Sequence, residues 1–317
     1  MNACQKPRVL GLVGATASGK TALSLALAQA LGCEIICLDS MQIYRGLDIG
    51  TAKPTAAERA AAPHHMLDII APTQPFSVAE YVAQAHQVIA QVCARGHVPL
   101  LVGGTGLYLQ GLSLPMDYGG LPSDPAVRQD LQQQLTAIGP LEMHARLAQI
   151  DPIAAARLHP NDTRRVIRAL EIYRLTGQPM SAHRVPQAAD APYDFLLYAV
   201  DWPRSELHRR INLRVEQMMA DGLLGEVEAL LAAGVPPEAQ SMQGLGYKEL
   251  IPVLAGGAPL GDAVEQIKTG TRNYARRQLI WFRRDQRIRW LPSDQLKGAK
   301  DAILQTWEDP ATWTTPL

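Results

Sequence analysis

The segment that most constrains the fold is a phosphate-binding loop close to the amino terminus. Residues 14–21 match the pattern G-x-x-x-x-G-K-[ST], and they follow the apolar run 9–13. This order predicts a strand, a tight turn and a helix whose backbone N–H groups and positive end bind phosphate oxygens. The loop residues are Gly14, Ala15, Thr16, Ala17, Ser18, Gly19, Lys20 and Thr21. We expect Lys20 to reach a terminal phosphate and Thr21 to offer its hydroxyl to Mg²⁺, so that the loop holds a polyphosphate.

Strand and helix signals alternate along much of the chain, which predicts an α/β protein with a P-loop NTPase-like parallel sheet. Strands are expected at 8–13, 34–38, 98–102, 195–200 and 288–291, with a short apolar run at 65–70. Helices are expected at 20–31, from the capping box at 77–80 to Gly96, and at 203–220, 223–233, 247–255 and 262–284. In such a sheet ligands bind where the strands end, and the phosphate loop, Asp39 and Thr105 all fall there.

The pattern changes near residue 117. Between 117 and 189 the chain has helical periodicity and no convincing strand, with a helix start at Asp151-Pro152 and a helix at 163–175 that ends at Gly177. We therefore predict a core domain made of 1–116 and 190–317, and a helical insertion domain at 117–189.

Composition excludes several classes of protein. None of the apolar runs in the 317 residues approaches the roughly 20 residues that cross a bilayer. The four cysteines form no C-x-x-C pair, so we expect neither a disulfide framework nor a zinc site, and Cys33 and Cys37 are expected to be buried thiols. The pair His64-His65 lacks further ligands at zinc spacing and is interpreted as structural. These features predict a cytoplasmic monomer without a membrane partner.

Positive charge is concentrated near the carboxyl terminus, although the formal net charge is zero. Residues 268–289 contain eight cations and one acid, Asp285. A second basic cluster consists of Arg204, Arg209, Arg210 and Arg214. A solvated helix face is the ordinary interpretation, but the excess of arginine beside Tyr274, Trp281 and Phe282 favours contact with RNA.

Five further segments carry a resemblance to a known family. The most specific is 39–54, which reads D-S-M-Q-I-Y-R-G-L-D-I-G-T-A-K-P. It is followed in order by 103–108, 161–171, 244–247 and 271–278. Together with the phosphate loop, these segments resemble the bacterial tRNA dimethylallyltransferases (tRNA isopentenyltransferases, the IPP transferase family) over nearly the whole chain. Ala15 stands where the family usually has proline, a position that stiffens the loop, so we expect little change in chemistry.

The resemblance implies transfer of a dimethylallyl group from dimethylallyl diphosphate to N6 of adenosine 37 in tRNA, with Mg²⁺ as the cofactor and pyrophosphate as the leaving group. It implies that Asp39 is the general base, that Thr105 lies near the reacting centre and that Arg128 stabilises the diphosphate. It assigns contacts with the tRNA anticodon stem-loop to Asp39, Ser40, Met41, Gln42, Arg164, Arg165, Val166, Ile167, Arg168, Gln243, Gly244, Leu245, Gly246, Tyr247 and Lys248. The side chain of Gln42 could bind an adenine edge through two hydrogen bonds.

Each residue also has a simpler interpretation. Asp39 could cap a loop, Thr105 could be a turn residue, and Arg128 could be a solvated helix arginine. The function has alternatives as well: a P-loop kinase for a small molecule, prenyl transfer to free AMP or ADP, or an RNA-binding protein without catalysis.

Overall fold

The computed structural model describes residues 6–114, 123–183 and 191–309. The chain forms two compact units, Met1–Ser113 with Ala191–Leu317, here called the core unit, and Leu114–Asp190, here called the helical unit. The domain boundaries predicted at 116/117 and 189/190 lie outside the described residues, as does Cys4.

The core unit contains strands and helices, and the helical unit contains helices only within its described residues. The strands are β1 (Arg8–Val13), β2 (Cys33–Leu38), β3 (His64–His65), β4 (Val98–Gly103), β5 (Asp194–Asp201) and β6 (Ile288–Pro292). The helices are α1 (Lys20–Leu31), α2 (Ala56–Ala61), α3 (Val78–Ala94), α4 (Gly106–Ser113), α5 (Pro125–Ile150), α6 (Pro152–Arg157), α7 (Thr163–Thr176), α8 (Arg204–Ala220), α9 (Leu223–Ala232), α10 (Ile251–Leu254), α11 (Leu260–Phe282) and α12 (Leu296–Glu308). Of the described helices, none is long and apolar enough to cross a lipid bilayer.

The six described strands form one parallel sheet in the order β3-β2-β4-β1-β5-β6. The predicted fold class is therefore confirmed. Val13, at the end of β1, pairs with Gly103 of β4 and Ala199 of β5, and Gly103 also pairs with Leu38 of β2. Strands β1, β2 and β4 thus end at one level and β5 ends two residues later, so the loops that follow them meet at the same edge.

Both faces of the sheet are buried, which explains why the strands read as continuous apolar runs. Val9 and Val13 pack into one core cluster together with α3 and α9, whereas Leu10 and Leu12 pack into a second cluster with α1 and α12. Alternate residues of a strand point to opposite faces, so each described strand except the two-residue β3 contributes to both clusters.

Most elements match the sequence prediction, and four helices do not. Helix α10 is shorter than the predicted helix at 247–255, because residues 244–250 form successive turns and Gly246 has a left-handed φ of 95°. Helices α2, α4 and α12 were not predicted. Thr55 and Glu58 form a complete capping box for α2, and α12 is held by burial of Ala299 and Ile303 in the second cluster.

The helical unit is built around its own apolar core. Helix α5 is kinked at Gly139, which has a φ of 80° and precedes Pro140. As predicted, Asp151 caps α6, and Gly177 ends α7 with a left-handed φ of 71°.

Candidate active site

The phosphate loop closes the central strand β1 and leads directly into α1. Gly14 and Gly19 have φ values of 124° and 92°, and Ala17 also has a positive φ, of 62°. The backbone therefore has the curled form that glycine at these positions permits. The first turn of α1 contains no acidic residue, so nothing in that turn offsets the positive end of the helix dipole.

The amino group of Lys20 folds back over this loop. Its Nζ donates hydrogen bonds to the carbonyl oxygens of Ala15, at 2.6 Å, and Gly14, at 3.1 Å. Burial, followed by the charge of Arg214, lowers the pKa of Lys20 from 10.5 to about 7, while the charge of Asp39 acts in the opposite direction. An anion beside Lys20 favours its charged form, so phosphate binding and protonation of this lysine are coupled.

Two arginines of α8 complete the basic surface of the loop. Arg210 Nε donates to the carbonyl oxygen of Ala17 at 2.8 Å, and Arg214 Nη1 lies 3.4 Å from Thr16 Oγ1. Arg210 also stacks on Trp202, 4.3 Å from the ring centre. The structure thus places both arginines at the phosphate loop, whereas the sequence analysis grouped them in a patch for RNA.

The sequence does contain a signal for this placement. Helix α8 begins just after β5, which is the parallel neighbour of β1. The first turns of α8 therefore start at the edge of the sheet where the phosphate loop lies, and the i, i+4 spacing of Arg210 and Arg214 puts both on one face.

Asp39 follows the last residue of β2 at the same edge. Its Oδ1 accepts a hydrogen bond from the backbone N–H of Met41 at 2.9 Å, so the carboxylate does shape the turn that it begins. Burial raises the pKa of Asp39, although backbone hydrogen bonds from Met41 and Gln42 oppose the rise. A carboxylate with a raised pKa is a stronger base than an exposed aspartate.

Thr105 lies beside the Asp39 turn. Its Oγ1 accepts a hydrogen bond from the backbone N–H of Ser40 at 3.1 Å, and its own N–H donates to the carbonyl of Leu38. The loop that carries Thr105 can approach the end of β2 this closely only with glycine at the end of β4, because a Cβ on Gly103 would lie 2.1 Å from the carbonyl oxygen of Leu38. The sequence-predicted residues Lys20, Asp39 and Thr105 are therefore brought together.

The side chain of Gln42 is engaged within its own segment. Its Nε2 donates to the carbonyl oxygens of Thr51 and Ala52, at 2.9 and 3.2 Å, and its Oε1 accepts from the thiol of Cys37 at 3.1 Å. In this arrangement the amide is not available for the two hydrogen bonds to adenine that the sequence suggested. The side chain instead stabilises the loop that carries Ser40 and Met41.

Glu226 joins two of the segments assigned to tRNA, and the sequence analysis missed it. Its carboxylate accepts hydrogen bonds from the backbone N–H groups of Asp48, Ile49 and Gly50, at 2.9, 2.7 and 3.1 Å. The hydroxyl of the buried Tyr247 donates to the same carboxylate at 2.6 Å. Segment 39–54 is thereby tied to segment 243–248.

Within segment 243–248, only the ends present exposed side chains. Gln243 and Lys248 are exposed, Leu245 is half-buried, and Gly244, Gly246 and Tyr247 are buried. The backbone at Gly244 packs directly against Met41, because a Cβ on this glycine would lie 2.6 Å from Met41 Cε. This packing gives a second link between the two segments.

Arg128 belongs to the helical unit, where it binds a buried carboxylate. Arg128 Nη2 lies 3.0 Å from Glu171 Oε2, and Arg168 Nη1 lies 2.8 Å from the same oxygen. Burial raises the pKa of Glu171, but the hydrogen bonds from Arg168 and Arg128 outweigh that effect and the net pKa is lowered. The carboxylate is therefore charged, and it orients both guanidinium groups.

The other predicted residues of α7 divide into two groups. Arg164 and Arg165 are exposed, whereas Val166 and Ile167 are 1% and 4% exposed and pack in the core of the helical unit. The side chains of Val166 and Ile167 can therefore affect RNA binding only by holding the arginines in place.

The basic carboxyl-terminal stretch is partly neutralised by acids that are distant in the sequence. Lys268 pairs with Glu216 at 2.8 Å, and Arg283 pairs with Asp201 at 3.0 Å. Arg276 and Arg284 remain exposed. Contact of this surface with RNA stays a prediction.

A cavity of about 740 Å³ lies between segment 48–56 and α8. Arg214, which contacts the phosphate loop, also lines this cavity, together with Lys53 and Gln217. The described residues contain no cluster of three or more histidine, cysteine, aspartate or glutamate side chains that could hold a metal ion.

Comparison with known proteins gives consistent matches. Residues 42–285 match the profile of the IPP transferase family, and residues 7–68 match that of isopentenyl transferases. A tRNA dimethylallyltransferase of Pelotomaculum thermopropionicum is 49% identical over 95% of this chain and 95% of its own length. A protein of the same name from Geobacter sulfurreducens is 45% identical over 90% of this chain and 92% of its own.

Solved structures share the fold. The tRNA isopentenylpyrophosphate transferase of Bacillus halodurans superimposes with a TM-score of 0.71 at 39% identity, covering 96% of this chain and 97% of its own. A eukaryotic dimethylallyltransferase acting on tRNA has a TM-score of 0.81 at 29% identity, covering 95% and 79% respectively.

Proposed function

This chain belongs to the IPP transferase family, and we propose that it transfers a dimethylallyl group from dimethylallyl diphosphate to N6 of adenosine 37 in tRNA, releasing pyrophosphate. The family resemblance found in the sequence is confirmed. The observation that carries the proposal is the meeting of a phosphate loop, the Asp39 carboxylate and the Thr105 hydroxyl at one edge of the sheet. The same proposal puts the enzyme in the cytoplasm, because tRNA is its acceptor. One chain carries all three groups, so catalysis needs no second subunit, and we expect a monomer.

The phosphate loop holds the leaving group in this proposal. Negative charge builds on the diphosphate as the bond between the allylic carbon and oxygen breaks. The loop N–H groups, Lys20 and Arg214 are fixed before the reaction and stabilise that charge where it develops. In this proposal the hydroxyl of Thr105 donates a hydrogen bond to the departing oxygen.

We propose Mg²⁺ as the cofactor, with Thr21 as its protein ligand. Mg²⁺ prefers oxygen ligands and commonly binds through substrate phosphates, water and one or two protein groups. The half-buried Thr21 at the start of α1 and the scarcity of clustered carboxylates fit that mode. When bound, the ion neutralises charge on the diphosphate.

Asp39 accepts the proton of the adenine amine. The amine is a weak nucleophile because its lone pair is delocalised into the ring. A base that removes the proton as the C–N bond forms contributes about 10²–10⁴-fold to the rate. The raised pKa of Asp39 improves it for this task.

Arg128 and the arginines of α7 act on the charged substrates. The family resemblance assigns Arg128 to the diphosphate, and within the helical unit Glu171 binds Arg168 as well as Arg128, so this buried carboxylate has two cationic partners. Arg164, Arg165 and the exposed ends of segment 243–248 are assigned to the anticodon stem-loop.

The test is a reaction of the purified chain with dimethylallyl diphosphate, Mg²⁺ and unmodified tRNA, followed by mass spectrometry of the nucleosides. The proposal predicts isopentenyladenosine in the tRNA. Modification of AMP in preference to tRNA, or release of ADP from ATP with a phosphorylated acceptor, would overturn it.

A further inference from the structure

The buried side chain of Gln278 bridges two loops of the active site. Its Oε1 accepts a hydrogen bond from the backbone N–H of Thr16 at 2.9 Å, and its Nε2 donates to the carbonyl oxygen of Gly104 at 2.9 Å. We infer that Gln278 is a positioning residue that sets the spacing between the phosphate loop and the loop carrying Thr105, and thereby aligns the leaving group with the base. The inference rests on the proposed function.

The chemistry of the two partners determines the orientation of this amide. The N–H of Thr16 can only donate, and the carbonyl of Gly104 can only accept. One orientation of a neutral amide satisfies both, and the reversed orientation satisfies neither. Glutamate at 278 would lack the donor, and methionine would lack both functions while keeping a similar length.

Packing fixes the amide in this place. Gln278 is 5% exposed, and a Cβ on Gly104 would lie 2.0 Å from its Nε2. The site therefore leaves room for the amide only because residue 104 is glycine. An amide so enclosed cannot lose its two partners without leaving buried polar groups unsatisfied, which is unfavourable.

The bridge continues to the catalytic base. Tyr274 lies one turn before Gln278 on α11. Burial raises the pKa of Tyr274, and the nearby side chains of Thr105 and Gln278 act in the opposite direction, so its hydroxyl lies beside both. Thr105 in turn holds the N–H of Ser40, the residue after Asp39. One helix face thus connects the phosphate end of the site to its base end.

Thr16 is held from both sides. Its N–H binds Gln278, and its hydroxyl is the partner of Arg214. The N–H of Thr16 is therefore used by the Gln278 amide, and the backbone N–H groups that follow it in the phosphate loop remain available to bind the diphosphate. Gln278 acts through Thr16 and Gly104 and needs no contact with either substrate.

The position of Gln278 predicts an effect on turnover rather than on binding. Displacing reacting groups by about 1 Å can cost up to about 10²-fold in rate. We expect Gln278→Met to lower kcat by about 10–100-fold, while the KM values for both substrates change by less than about threefold. Calorimetry with inorganic pyrophosphate and Mg²⁺ measures binding without the reaction, and we expect its Kd to stay within about threefold of wild type.

Gln266→Met is the matched control, because Gln266 is an exposed glutamine on the same helix, and we expect wild-type kcat from it. Tyr274→Phe gives a second variant that removes only one hydroxyl. If the bridge acts as a unit, the double variant is impaired less than the product of the two single effects. The inference would be overturned if the loss of kcat in the double variant equalled the product of the losses in the two single variants. It would also be overturned if Gln278→Met had the kcat of wild type, or if its only change were a raised KM.

The failure of this inference is distinguishable from failure of the proposed function. If wild type forms isopentenyladenosine and Gln278→Met does so equally fast, only the role of Gln278 is wrong. If wild type forms none, the proposed function fails and the assigned role fails with it.

Discussion

Replacing Glu226 with glutamine removes half of the acceptor capacity that joins segments 39–54 and 243–248. The carboxylate accepts four hydrogen bonds, from Asp48, Ile49, Gly50 and Tyr247. A glutamine can keep two of these on its oxygen, but its NH₂ group then faces the N–H of Gly50 and the hydroxyl of Tyr247. The hydroxyl can rotate to accept, whereas the N–H of Gly50 is left opposite another donor.

The cost follows from these contacts. An unsatisfied N–H costs about 1–3 kcal/mol, and each of the remaining bonds loses about 1 kcal/mol when its acceptor is no longer charged. Glu226 is only half-buried, so water offsets part of this sum. We expect the free energy of unfolding to fall by about 2–3 kcal/mol.

Thermal and urea unfolding of the two variants Glu226→Gln and Glu228→Gln measure this difference. Glu228 is an exposed glutamate on the same helix, and its replacement should change stability by less than about 0.5 kcal/mol. We also expect Glu226→Gln to raise the KM for tRNA more than that for dimethylallyl diphosphate, because the segments it joins are those assigned to tRNA. Equal stability of the two variants would refute the reasoning.

Three other predictions concern the base, the charge and the stability of the fold. Asp39→Ala should lower single-turnover rates by about 10²–10⁴-fold with little change in tRNA affinity; unchanged turnover would remove Asp39 from the mechanism. The Kd for tRNA should rise steeply between about 50 and 200 mM salt in filter binding, and a flat dependence would contradict a role for the exposed arginines. Hydrogen bonds from Arg95 lower the pKa of Glu34 from 4.5 to about 2. The charged Glu34 carboxylate therefore stabilises the folded state fully above pH 4.5, and this stabilisation is lost as the pH falls towards 2. In unfolding experiments, the stability of Glu34→Gln should fall less than that of wild type as the pH is lowered. The same pH profile of stability in both proteins would contradict this role of Glu34.

Local sequence signals were sufficient to place the phosphate loop, Asp39 and Thr105. A motif identifies the loop, and the rule that parallel strands end at one edge brings the other two residues to it. The capping box at Ser77 and the glycine at the end of α7 are equally local, and both were predicted correctly.

The individual contacts that complete the site carry no such signal, although the position of α8 directly after β5 does indicate that its arginines lie at the edge of the phosphate loop. Arg210 reaches Ala17, 193 positions earlier in the chain, and Gln278 reaches Thr16, 262 positions earlier. A glutamine or glutamate in a helix has the same local pattern whether it faces solvent or a distant backbone. Glu226 and Gln278 therefore became visible only when the sheet and its helices were assembled.

The central claim is that the phosphate loop holds a leaving group, so the bond that breaks joins carbon to oxygen. Dimethylallyl diphosphate labelled with ¹⁸O at the oxygen that bridges carbon and phosphorus tests it directly. The account predicts that all of the label is recovered in pyrophosphate when isopentenyladenosine forms in tRNA. Label recovered in dimethylallyl alcohol, with phosphate passed to an acceptor, would contradict it.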